Sequence, residues 1–137
     1  MAAGLRTDAA TRLKSSNGRE YEIPRGPELV VYVGHDGLMD FALEKIYNGD
    51  AGANRQVLVL ACASKAYFEP GLRPTGAQPL LWTTGLMAPE AYSLRAAWDG
   101  WAAGETPEQI RQRAAGAYAK YQKISVTAAG RLFATGW

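Results

Sequence analysis

The sequence predicts an α/β domain of three layers built on a mainly parallel sheet. Two apolar runs, Leu29-Val30-Val31-Tyr32-Val33 and Gln56-Val57-Leu58-Val59-Leu60-Ala61, carry that prediction. Both are continuous rather than alternating, as strands covered on both faces are. A third run, Pro79-Leu80-Leu81-Trp82-Thr83-Thr84-Gly85, reads as another buried strand with polar residues at its exit.

Residues 1–18 are alanine-rich, charged and without period, and read as a weakly ordered arm ahead of a single domain over residues 19–137. Arg19 to Ile23 alternates polar and apolar residues before Pro24, which suits a short edge strand. After the first buried strand, Leu38, Phe41, Ala42 and Lys45-Ile46 fall at helical spacing, and Asn48-Gly49 supplies a stop; this predicts the crossover helix. Ser64 is placed to cap a short helix that ends at Pro70-Gly71. Pro89 suits the first turn of a helix that buries Leu94, Trp98 and Trp101 and closes at Gly104. Thr106-Pro107-Glu108-Gln109 has the form of a capping box and opens a helix burying Ile110, Ala114, Ala117 or Tyr118, and Tyr121. Ser125 caps a last helix carrying Val126, Ala129, Leu132 and Phe133.

A chain of 137 residues can bury a core without staples. Its net charge of +2 is too small to imply a nucleic-acid partner. The lone histidine and lone cysteine cannot close a four-ligand zinc site, so neither a metal nor another cofactor is expected. No stretch has the length of a signal-peptide core or a membrane span, and the expectation is a cytoplasmic protein with no membrane partner. The aromatic residues fit a core better than a nucleic-acid or sugar surface, and Arg111, Arg113, Lys120 and Lys123 fit a solvated helix face.

The chemistry concentrates where the first two strands end. His35 and Cys62 each close an apolar run, 62 − 35 = 27 residues apart, about the length of a βαβ crossover. If the strands are parallel, both side chains emerge on the carboxyl edge of the sheet, where open α/β sheets bind ligands. A thiol becomes a nucleophile as its thiolate, which an imidazole and a helix N-terminus both favour. The plainer reading is that Cys62 fills core and His35 caps the following helix. Ser64 lacks a Gly-x-Ser-x-Gly setting, and no glycine-rich nucleotide loop follows any strand.

Val30-Val31-Tyr32-Val33-Gly34-His35-Asp36-Gly37 together with Val57-Leu58-Val59-Leu60-Ala61-Cys62 resembles the caspase-like cysteine peptidases, a superfamily of caspases, gingipains, separases and bacterial CHAT domains. The likeness extends from about Leu29 to Gly104, and Trp82 to Tyr92 is similar to the strand and helix after the cysteine in bacterial members. The resemblance implies a caspase-like fold, Cys62 as nucleophile, His35 as base and proton donor, and Gly37 as an oxyanion donor. Asp36 stands between His35 and Gly37, where the family has histidine and glycine adjacent. Asp36, Thr83 and Thr84 are further candidates for a substrate pocket. The family sheet holds a strand upstream of the histidine strand, for which residues 1–28 offer a weak counterpart, so a shortened version or the C-terminal part of a longer product is expected.

The expected activity is therefore cysteine-dependent hydrolysis of a peptide or protein substrate by a His35–Cys62 dyad. The alternative is a non-catalytic α/β module that binds a partner or small ligand at the same edge. An incompletely covered sheet would also favour a homodimer through its exposed edge.

Overall fold

The computed structural model describes residues 11–14, 18, 20–23, 28–49 and 55–137. Strands β1 (Thr11–Lys14) and β2 (Glu20–Ile23) form an antiparallel pair. The expected edge strand before Pro24 is therefore β2. Its partner lies within the segment expected as an arm, of which residues 1–10 and 15–17 are outside the described residues.

The main sheet has four strands in the order β3 (Leu29–Val33), β4 (Gln56–Leu60), β5 (Gln78–Thr83) and β6 (Phe133–Ala134). The first three run parallel, with Val33 opposite Leu60, and β6 runs antiparallel to β5. The unbroken apolar runs of β4 and β5 are covered on both sides, whereas β3, expected to be a buried strand, is the edge of the sheet and leaves Val30, Val31 and Tyr32 exposed. Val57 to Leu60 and Leu80 to Trp82 are all buried. On one face Leu58, Leu60 and Leu81 pack with Ala97, Ile110, Ala114, Tyr118 and Ala129 of three helices, α2 (Ala91–Ala102), α3 (Pro107–Gln122) and α4 (Val126–Leu132). On the other, Val59, Ala61 and Trp82 meet Phe68 and Leu72 of helix α1 (Ser64–Leu72). Each fully buried leucine contributes about 1.5–3 kcal/mol through lost apolar exposure.

The region expected as a crossover helix is different. Gly37–Met39 makes one 3₁₀ turn, and the chain then runs without regular structure to Gly49. Short helices depend on burying their apolar face. Here Phe41, Leu43 and Ile46 stay exposed, so the periodic stripe has no surface to reward it. Gly49, expected to stop a helix, instead lets two backbones touch. Its N–H donates to the Pro74 carbonyl at 3.2 Å, and a Cβ there would lie 1.9 Å from the Thr75 carbonyl oxygen.

Smaller departures follow the same logic of packing over local signal. α1 continues past Pro70 to Leu72, and its N-cap is Ala63 rather than Ser64. α2 begins at Ala91 behind Glu90, so Pro89 precedes the helix. Trp98 is 46% exposed and Tyr121 57%, so neither is a core residue. Trp101 does pack against the core, and its indole N–H donates to Gln56 Oε1 at 2.8 Å. The Thr106–Gln109 capping box opens α3 as expected, and Ser125 caps α4. Phe133 leaves that helix for β6 and is buried there. Arg111 does more than face solvent: it holds Glu108 and donates to the Gly130 carbonyl, which joins α3 to α4.

Candidate functional site

Because β3 and β4 are parallel and in register, their carboxyl ends reach one rim of the sheet. His35 stands just beyond β3 and Cys62 just beyond β4, and the Gly34 N–H donates to the Leu60 carbonyl at 3.1 Å between them. The two groups therefore share an edge. No hydrogen bond joins them. The His35 ring is 74% exposed, and its Nε2 lies 2.7 Å from Asp40 Oδ2. A neutral imidazole donating from Nε2 to that carboxylate keeps Nδ1 as its basic nitrogen. Cys62 is half-buried; its thiol donates to the Met87 carbonyl and its sulfur accepts the Met87 N–H, both at 3.4 Å.

The bend after Cys62 holds a non-glycine residue in the left-handed region. Ala63 adopts left-handed backbone angles, φ 47° and ψ 31°, which cost a residue with a Cβ about 1–2 kcal/mol. Several bonds hold it there. The Ala63 N–H donates to the Gly85 carbonyl at 2.8 Å. Ser64 Oγ donates to the Val59 carbonyl at 2.9 Å and accepts the Thr83 N–H at 2.9 Å, while the Ser64 N–H reaches Thr83 Oγ1 at 3.2 Å. The strand end, the cysteine and the start of α1 are thereby fixed as one unit.

The remaining candidates are already engaged. Thr83 is fully buried, and its hydroxyl donates to the Ala61 carbonyl. Thr84 Oγ1 donates to the Arg131 carbonyl at 2.8 Å and ties the exit of β5 to the end of α4. The Gly37 N–H donates to the His35 carbonyl at 3.1 Å and so is not presented as an oxyanion donor in this conformation. Asp36 is fully buried: Oδ1 accepts the Leu38 N–H at 3.0 Å and Oδ2 has no partner. Desolvation pushes its carboxyl above the ordinary 3.8, outweighing the Leu38 N–H and the His35 charge, which act the other way.

Sequence reasoning missed Asp40 as the partner of His35, and Met87 and Ser64 as the residues that fix Cys62 and its bend. Asp40 lies five positions after His35, across a turn with no fixed spacing rule, and Met87 is 25 residues from Cys62. Among the described residues no cluster of three His, Cys, Asp or Glu is placed to hold a metal ion, and no helix is long and apolar enough to cross a membrane. Comparison with family models, curated proteins and solved structures finds no match to this chain.

Proposed function

We propose that the chain is a cysteine-dependent peptide hydrolase with a three-layer, caspase-like arrangement, in which Cys62 is the nucleophile and His35 the proton carrier. The observation that carries the reading is the placement of Cys62 at a strained strand-to-helix bend, on the rim that the adjacent parallel strand reaches with His35. Strain of this kind persists where surrounding bonds impose it, and it clusters at reactive sites. Catalytic hydrogen bonds are also often long or unformed before substrate arrives.

In the reaction, the Cys62 proton passes to His35 Nδ1 and the thiolate attacks the scissile carbonyl. The tetrahedral intermediate collapses as His35 returns that proton to the departing amine, leaving a thioester on Cys62. His35 then takes a proton from water, the hydroxide attacks the thioester, and the carboxylic acid departs as the sulfur recovers its proton. Asp40, paired with Nε2, would orient the ring and stabilise its charged form.

A second reading has its own observation. His35 and Cys62 each have a hydrogen-bond partner already, which suits a non-catalytic module. Incubation with peptidyl acyloxymethyl ketones of varied sequence, followed by intact-mass measurement, separates the two. The peptidase reading expects one covalent adduct per chain, absent in Cys62→Ala and matched by amide hydrolysis of the corresponding peptides. Folded protein that takes up no adduct and cleaves no peptide belongs to the second reading.

A further inference from the structure

We infer that the open edge of β3 pairs with the same edge of a second copy of this chain, joining two four-stranded sheets into one across a two-fold axis near Val31. The hydrogen-bond pattern identifies the free groups. The Glu28 carbonyl accepts from Gln56 and the Gly34 N–H donates to Leu60, so the main chain of the even residues faces β4. In a parallel pair, successive residues bond to opposite sides. The N–H and C=O groups of Leu29, Val31 and Val33 therefore point off the sheet, where no strand of the described residues pairs with them.

Among the described residues this edge is neither paired with another strand nor blunted within its own sequence. Leu29 to Val33 holds no charge, proline or bulge, although exposed edges are ordinarily blunted by one of these. Val30, Val31 and Tyr32 are each more than a third exposed. Apolar surface continues onto both flanking layers. On one face Val31 lines a groove with Ala91, Leu94, Arg95 and the exposed Trp98 of α2. On the other, Tyr32 packs on Phe68 of α1 at a ring distance of 5.5 Å.

A second copy fits better than an unrelated strand because the edge complements itself. Antiparallel pairing about Val31 sets Leu29 against Val33 of the second copy and satisfies all three residues' outward groups on each side. The same axis reverses α2 against its copy. Arg95 and Asp99, one turn apart on α2 and bonded to each other at 2.8 Å, give that flank both signs of charge. A surface that carries both signs of charge beside an apolar edge can pair with its own reversed copy.

Light scattering on the purified full chain tests this, with hydrogen exchange read residue by residue. The expected result is a particle of twice 14.8 kDa, with the amides of Leu29, Val31 and Val33 protected about tenfold or more over the diluted monomer. Trp98→Lys, on an exposed helix position, should give folded monomer; Val31→Lys should do the same. A chain that stays monomeric overturns the proposal, whether or not it binds an extended apolar peptide of another sequence. A dimer that survives both substitutions, with those three amides exchanging freely, overturns it equally.

Discussion

Ser64 and Thr83 hold each other's main chain: the Thr83 N–H donates to Ser64 Oγ, and the Ser64 N–H donates to Thr83 Oγ1. Both residues are fully buried, so water cannot replace either bond. Ser64→Ala leaves the Thr83 N–H unsatisfied and should cost about 1–3 kcal/mol in denaturant unfolding. Thr83→Val should cost a similar amount, and the double variant should fall short of the sum because the two share one network. Additive losses would mean that the bonds act separately.

Asp36 gives the fold a pH dependence of definite sign. Its carboxyl is raised by burial, so the folded state keeps a proton that the unfolded state releases near the ordinary 3.8. Stability from this group is full below that value and declines as pH rises toward the folded-state value. Asp36→Asn should remove the decline. Its stability relative to the native chain should therefore improve as pH climbs above 3.8, as followed by thermal unfolding across pH.

Glu108 behaves in the opposite sense. The Arg111 guanidinium bonds both of its carboxylate oxygens and, with Gln112, holds its carboxyl at about 2. The ionised form is favoured in the folded state, so its contribution is present above the ordinary 4.5 and disappears as pH falls toward 2. In Arg111→Ala the Glu108 titration midpoint, read by carbon-detected NMR, should move up toward 4.5. Because the pair is exposed, added salt should shrink the shift.

The α3 capping box supports the helix that packs most closely on α2. Thr106 Oγ1 accepts the Gln109 N–H, and Gln109 Oε1 accepts the Thr106 N–H at 2.9 Å. Thr106→Ala should lower stability by about 1 kcal/mol, with Thr106→Gly costing less.

β4 and β5 were legible because runs such as Leu58 to Leu60 are apolar at consecutive positions, as in strands covered on both faces. The same pattern over-read the burial of β3, whose Val30, Val31 and Tyr32 are each more than a third exposed. The α3 start was legible because a capping box is a local device, fixed by spacing alone. The segment after His35 was not. Its residues repeat at helical spacing, but spacing does not report whether a surface exists to cover Phe41 and Ile46. The shared rim of His35 and Cys62 followed from strand polarity. The Asp40 and Met87 contacts did not, since they depend on the course of irregular chain. Trp98 was misread as core because the heptad-like spacing with Leu94 and Trp101 says nothing about how wide the sheet beneath α2 is.

The central claim is that His35 activates Cys62. Because the chain has one cysteine, the rate of iodoacetamide alkylation at neutral pH, followed by intact mass on folded protein, reports on that thiol alone. The account predicts a rate that falls about tenfold or more in His35→Ala, as for a thiol activated by an adjacent base. Equal rates in the two folded proteins would contradict it.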